Sequence, residues 1–263
     1  MSAITLLTDF GTSDGYVAEL KGVLLSNAPG VQVVDLSHDV APHDVDAARL
    51  AVARYWRRFP AGTVHLVVVD PGVGSSRAAI AVRSDGRFLV GPDNGVLSPA
   101  LLLPGAEVVS LAVPADAAPT FHGRDVFAPA AAALARGLGL PALGSLHESP
   151  VIRRTPEVVR EQDGWLRGEV IVIDRFGNAV TNLIGVHDGE VHVGQRRIPF
   201  RRTYADVAVG EAVALVGSSG LIEVAVRDGS AVKELGLARG TVVRVRDGGP
   251  GTGHRGPTAG HGS

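Results

Sequence analysis

The sequence predicts an α/β N-terminal domain with a mainly parallel central sheet, followed by a smaller C-terminal antiparallel β-barrel-like domain. Three observations carry this. Up to about residue 145, short apolar runs alternate with segments of helical period, the pattern of βαβ units. Residues 146–164 hold Gly, Pro and charge in neither period, as an interdomain linker does. From 165 to 246 the pattern becomes short strands separated by turn residues, which suits a small barrel or sandwich. The Gly-rich stretch 247–263 has no periodicity and is expected to be disordered.

Ile4 to Thr8 reads as the first strand, ending at Asp9-Phe10-Gly11. Ser13 or Asp14 can cap the following helix, which runs to about Ser26 and stops before Asn27-Ala28-Pro29-Gly30. Val31 to Leu36 is the next strand. Asp44 caps a helix to about Phe59, with Val45, Ala48, Val52, Tyr55 and Phe59 on or near its buried face. Val64 to Val69 is a β-branched run that ends in Asp70-Pro71-Gly72-Val73-Gly74-Ser75-Ser76-Arg77. Pro71 pushes Asp70 into an extended conformation and the glycines free the backbone after it. Ala78 to Val82 and Phe88 to Val90 form a hairpin across Ser84-Asp85-Gly86-Arg87, and Gly91-Pro92-Asp93-Asn94-Gly95 puts polar groups at another strand end. Glu107 to Leu111 is a further strand. His122 stands just before a helix from Val126 to Arg136, whose first turn tolerates Pro129, and a helix start suits anion binding.

In the second half the expected strands are Gly168 to Ile173, Ala179 to Leu183, Glu190 to Val193, Arg196 to Phe200, Ala212 to Val216, Leu221 to Val226 and Thr241 to Val245. Two of their loops carry chemistry. Asp174-Arg175-Phe176-Gly177-Asn178 offers a carboxylate, an aromatic face and a carboxamide. Gly217-Ser218-Ser219-Gly220, followed by Glu223, offers hydroxyls and free amides. Each is also ordinary turn material.

Composition narrows the function. With no cysteine, disulfides, zinc-thiolate sites and thiol nucleophiles are excluded, so a nucleophile must be oxygen or nitrogen. A net charge of −2 leaves no footprint for nucleic acid or an anionic membrane. No apolar run approaches the roughly 18 residues of a membrane span. No basic stretch and apolar segment precede the first strand, so a cytoplasmic protein is expected. His38, Asp39, His43 and Asp44 lie close together but lack a recognised ligand spacing, so no metal site is expected.

Thr8-Asp9-Phe10-Gly11, Val69 to Gly74, Gly91 to Gly95, Phe121-His122-Gly123-Arg124-Asp125, Asp174 to Asn178 and Ser218 to Leu221 fall in one fixed order. Together they resemble the S-adenosylmethionine hydroxide adenosyltransferase family, relatives of fluorinases and chlorinases. The resemblance spans about residues 3–246. It implies a homotrimer with the substrate between the N-domain of one subunit and the C-domain of the next. It also implies hydrolysis of S-adenosylmethionine to adenosine and methionine without a metal or cofactor. The family's catalytic Asp, Arg and His fall on Asp70, Arg77 and His122. Asp9 matches the carboxylate that holds the ribose hydroxyls. Asp174 and Ser218 match positions at the methionine end, and Phe176 and Asn178 match adenine-side and neighbouring contacts. Asn94 is the remaining candidate for substrate binding, from its place at a strand end. Halogenating relatives carry tyrosine where Asp70 stands, and fluorinases carry hydroxyl side chains where Val73 and Gly123 stand. Two alternatives stay open: a halide-dependent adenosyltransferase, for which Asp70 would put negative charge where the anion enters, and a non-catalytic binder of adenosyl ligands.

Overall fold

A computed structural model describes residues 3–185 and 189–247, and the chain divides into two compact units between Arg154 and Thr155. The first is built in chain order from β1 (Ala3–Thr8), α1 (Tyr16–Asn27), β2 (Gln32–Ser37), α2 (Val45–Tyr55), β3 (Val64–Val68), β4 (Ala79–Ser84), β5 (Arg87–Pro92), α3 (Ser98–Leu101), β6 (Glu107–Leu111), α4 (Ala128–Ala135) and β7 (Gly144–Leu146). Its seven strands form one sheet in the order β2-β1-β3-β5-β4-β6-β7. The pairings from β2 to β5 are parallel, and those of β4 with β5 and β6, and of β6 with β7, are antiparallel. Five strands therefore run one way, with β4 and β7 opposed.

Alternation along the strands sends side chains to two cores. Leu6, Leu66 and Val68 pack with Leu20 and Leu24 of α1 and with the alanines of α4. Leu7, Val67 and Val69 pack on the other face with Val45, Ala48 and Val52 of α2. Both faces being covered is why β3 reads as an unbroken apolar run. After β1 the chain goes to β2 on one side and then crosses to β3 on the other. This reversal is the switch point at which open α/β sheets place ligands, outside the strand carboxyl ends.

Several local readings change. Neither Ser13 nor Asp14 caps α1: Gly15 takes that place at φ 81° with no side-chain cap, a left-handed conformation that glycine adopts freely. Asp44 does cap α2, accepting the Ala47 amide at 2.9 Å. That helix tightens into a 3₁₀ turn, Trp56–Arg58, which turns Trp56 rather than Phe59 fully inward. β7 ends on Leu146, the first residue of the expected linker, and the linker itself contributes a short strand, β8 (Val159–Arg160), to the second sheet.

The second unit continues with β9 (Leu166–Ile173), β10 (Ala179–Ile184), β11 (Gly189–Val193), β12 (Arg196–Ile198), β13 (Ala212–Val216), β14 (Leu221–Val226), α5 (Ala231–Leu235) and β15 (Val242–Asp247). The strand order is β12-β11-β15-β9-β10-β14-β13, with β8 beside β9 and every pairing antiparallel. A bridge between Phe200 and Ala214 links the segment after β12 to β13, so the two sheet edges approach and nearly close a barrel. Val170, Leu183, Val191, Ile198, Ile222, Val224, Val243 and Val245 fill it. The tail expected from 247 lies, from 248 onward, outside the described residues.

Candidate active site

β1 and β3 are parallel neighbours with Thr8 opposite Val68, so the carboxylates that follow them, Asp9 and Asp70, emerge side by side at the switch point. After Asp70 the chain folds back through two turns, with the Val73 amide donating to the Asp70 carbonyl at 3.2 Å and the Ser75 amide to the Gly72 carbonyl at 3.1 Å. Gly74 is required there. Its φ is 77°, and a Cβ would stand 2.7 Å from the Pro119 carbonyl oxygen.

The fold-back returns Arg77 onto Asp70. Arg77 donates from Nε to Oδ1 at 3.0 Å and from Nη2 to Oδ2 at 2.5 Å. These side chains are only 9% and 6% exposed, so this is a buried bidentate pair. Arg77 also lies 5.3 Å over the Phe127 ring. The same Nη2 is 3.0 Å from His122 Nδ1. A guanidinium only donates, so Nδ1 is the acceptor and the neutral imidazole carries its proton on Nε2. His122 closes the chain from a third segment. It precedes a π turn, Gly123–Phe127, that overlaps the start of the helix expected from Val126 and leads into α4. Pro129, without an N–H, leaves that first turn free of the usual i→i−4 bond.

Electrostatics follow from burial. Desolvation raises Asp70 above the ordinary carboxylate range, more than Arg77 and the Gly72 amide lower it, so it is a better proton acceptor than a surface aspartate. Burial, helped by the Arg77 charge, lowers His122 below its ordinary range, so it is neutral near pH 7.

Asp70 and His122 face a cleft of about 270 Å³, whose other lining residues include Asp9, Phe10, Tyr16, His43, Val73 and Phe121. Asp9 accepts the His43 amide at 2.8 Å and thereby fixes His43 at φ 67°, an unusual conformation for a residue with a side chain. Reasoning from sequence missed Tyr16 and His43 as lining residues. Tyr16 opens α1 and His43 precedes the α2 cap, but only the adjacency of β1 and β2 places both at one mouth. The neighbouring His38 is spent on Thr8 Oγ1 at 2.9 Å and Asp35 at 3.2 Å. Among the described residues no three His, Asp or Glu side chains gather as a metal site would require.

Asn94 does not line the cleft. Its carboxamide donates to the Val69 carbonyl at 2.9 Å and accepts the Val96 amide at 3.1 Å, tying the end of β5 to the chain just before Asp70. It supports the site from behind.

The second unit holds the other candidates at its own loops. Asp174 Oδ1 accepts the Phe176 and Asn178 amides at 2.9 Å each, and Oδ2 accepts the Asn178 carboxamide at 3.0 Å. Phe176 is left 77% exposed, an unusual position for a large ring. Ser218 lies exposed in the turn closed by the Gly220 amide donating to the Gly217 carbonyl at 2.9 Å. A Cβ at Gly217 would collide with the carboxylate of buried Glu223, which accepts the Tyr204 hydroxyl at 3.1 Å. Burial first, then the charges of Glu223 and Asp174, push the Tyr204 phenol up to about 12. Glu223 and Asp174 thus both act on Tyr204, and Gly217 packs against the same Glu223.

Residues 4–144 match the family model for the SAM hydroxide adenosyltransferase N-terminal domain, and 168–244 match that for the C-terminal domain. The chain belongs to the SAM hydroxide adenosyltransferase family. A relative in Thermus thermophilus, named (R)-S-adenosyl-L-methionine hydrolase, is 45% identical over 260 residues, covering 93% of this chain and all of the relative. One of the same name in Salinispora tropica is 38% identical, covering 93% and 98%. A fluorinase of Actinopolyspora mzabensis is 30% identical, covering 92% and 96%. The crystal structure of an uncharacterised conserved protein from Thermotoga maritima superposes with a TM-score of 0.84 at 33% identity, covering 92% of this chain and 99% of that one. The family's two matched regions contain every candidate, from Asp9 to His122 in the first and from Asp174 to Ser218 in the second.

Proposed function

We propose that this chain hydrolyses S-adenosyl-L-methionine to adenosine and L-methionine, with the R configuration at sulfur that the names of its hydrolase relatives specify. The observation that carries the reading is the contact chain Asp70–Arg77–His122, whose two ends line the cleft of about 270 Å³. A water oxygen attacks C5′ and the C5′–S bond breaks. Its electron pair returns to sulfur as the methionine thioether, and the water's proton passes to a base. The sulfonium is already a good leaving group, so no general acid is needed.

Asp70 is the base in this scheme. It is the group whose proton affinity burial has raised, whereas His122 Nδ1 is held by Arg77 and its Nε2 carries a proton. The Nε2–H donates to the water and holds it in line, and Arg77 keeps both partners in register. The reaction so written uses no cofactor and no metal. Asp9 holds the ribose hydroxyls, Asp174 and Ser218 hold the amino-acid end, and Phe176 and Asn178 make adenine-side and neighbouring contacts. We propose a homotrimer in which one subunit's N-domain and the next subunit's C-domain share the substrate, acting in the cytoplasm. Among the described residues, no helix is long and apolar enough to cross a membrane.

The halide-dependent alternative is disfavoured by the carboxylate of Asp70 at the rim where an anion would enter, and by greater similarity to the hydrolases than to the fluorinases. Incubation of purified protein with each sulfur diastereomer, followed by chromatography, is the test. Adenosine and methionine in equal amounts, unaltered by fluoride or chloride, are expected. A halogenated nucleoside, or tight binding without adenosine release, overturns the reading.

A further inference from the structure

Beside the Asp70–Arg77–His122 chain the cleft carries a second feature, a corner of three aromatic rings. Phe10, Tyr16 and Phe121 come from the end of β1, the first turn of α1 and the residue before His122. Their centroids lie 6.1 Å (Phe10–Tyr16), 5.7 Å (Phe10–Phe121) and 5.4 Å (Tyr16–Phe121) apart, with interplanar angles of 63°, 71° and 81°. Three nearly perpendicular rings at this spacing are the geometry of a box that receives a compact cation.

Three further observations favour a cationic occupant. First, the residues lining the cleft include the carboxylates of Asp9 and Asp70 and no lysine or arginine. Secondly, Phe121 already attracts a cation, with the Arg124 guanidinium 5.1 Å from its centroid. Arg124 is itself neutralised by Asp125 and Glu19, so the corner has no positive charge of its own to repel a guest. Thirdly, Tyr16 is 47% exposed although it is a large aromatic at a helix start, so burial in the core does not account for its place. Gly123 lies at the back of the corner, where a Cβ would already stand 3.3 Å from both Phe10 Cζ and Phe121 Cε2.

We propose that Phe10, Tyr16 and Phe121 hold the methyl-bearing sulfonium of the substrate, and that this corner distinguishes the cationic substrate from its neutral thioether counterpart. The inference rests on the hydrolase reading above. Positive charge on the sulfonium is shared with its methyl hydrogens, which the ring faces attract, and it disappears once the C5′–S bond breaks. The corner therefore binds substrate more strongly than the methionine product. With the adenosyl and amino-acid arms held elsewhere, only one configuration at sulfur directs the methyl group into the rings.

The test measures binding of S-adenosylmethionine and of the thioether S-adenosylhomocysteine by calorimetry, in an Asp70→Asn background so that ligand is not consumed. Tyr16→Leu is expected to lower the preference for the sulfonium by about three- to thirtyfold, the range that one ring contact converts to. Affinity for the thioether should hardly move. Tyr16→Phe should keep the preference, and Phe10→Leu supplies a second, independent removal of a ring. Equal loss of both ligands would assign the rings to adenine stacking or to structure, and an unchanged ratio would leave them idle; either result overturns the proposal. Absence of adenosine release by the parental enzyme would instead sink the hydrolase reading, while the binding ratio would still report on the corner.

Discussion

Replacing Arg77 by leucine is expected to damage stability and catalysis separately, and a second substitution should tell the two apart. Arg77 makes both hydrogen bonds of a bidentate pair whose acceptor, Asp70, is 6% exposed. Arg77→Leu strands that carboxylate, which at pH 8 should cost about 3–5 kcal/mol. Burial already raises Asp70, and losing Arg77 removes a group that lowers it, so in the variant its pKa climbs further. A carboxyl with a raised folded-state pKa binds its proton more tightly folded than unfolded, so the deficit relative to the parent should shrink as pH falls through that pKa. The double variant Asp70→Leu/Arg77→Leu removes the stranded charge and should return to within about 1 kcal/mol of the parent. Both variants should stay at least about a hundredfold slower, because groups that act as a unit are lost together. Urea unfolding followed by Trp56 fluorescence, in a Trp165→Phe background, reads the first unit alone, since Trp56 is buried there. Adenosine release gives the rate. A double variant that regains stability and also hydrolyses at a near-parental rate would refute the catalytic assignment. A single variant with no stability deficit would refute the buried pair.

His122→Ala is expected to lower turnover at least about a hundredfold while leaving the fold intact, checked by steady-state adenosine release and circular dichroism. The parental rate should fall as pH drops and the Asp70 base takes up its proton, at a higher pH than for a surface aspartate because burial raises it, while His122 stays neutral down to below its ordinary range. Reaction in heavy-oxygen water should place the label on the adenosine 5′ oxygen, read by mass spectrometry, and unlabelled adenosine would exclude direct displacement by water. His65 is completely buried and shifted down to about 4 by desolvation, so between pH 6.5 and 4 the unfolded state binds the extra proton. Stability should therefore decline by about 3 kcal/mol across that window, and His65→Gln should flatten this part of the curve in denaturant titrations.

Much of this was legible because the chain stops its apolar runs abruptly. β1 and β3 end at Asp9 and Asp70, and a carboxylate after a buried strand has few places to go. Which strands are neighbours is not written locally. The pairing of Thr8 with Val68 and the crossing to β3 decide that those carboxylates adjoin, and that His43 faces them. That Asn94 lies outside the cleft lining was hidden for a related reason. Its carboxamide supplies a donor for the Val69 carbonyl and an acceptor for the Val96 amide, a backbone need invisible without the fold. β7 escaped because Gly-Ser-Leu has no period. Its Gly144 is there for close approach, since a Cβ would collide with the Ser110 carbonyl oxygen of β6.

The division of labour between sheet and loops explains why three acidic, cationic and imidazole groups can share one face without collapsing into a purely structural staple. Asp70 is anchored by β3 and tied from behind by Asn94, so its carboxylate cannot withdraw from the cleft. Arg77 is held by Asp70 on one side and by the Phe127 ring below, which orients its remaining donor toward His122. His122 is then held in one tautomer by Arg77, and in the proposed scheme its second nitrogen serves the water. Each group thus has one contact that positions it and another available to chemistry. That is why a conservative change such as Arg77→Lys, which keeps the charge and loses the fork, should impair turnover nearly as much as removing the side chain.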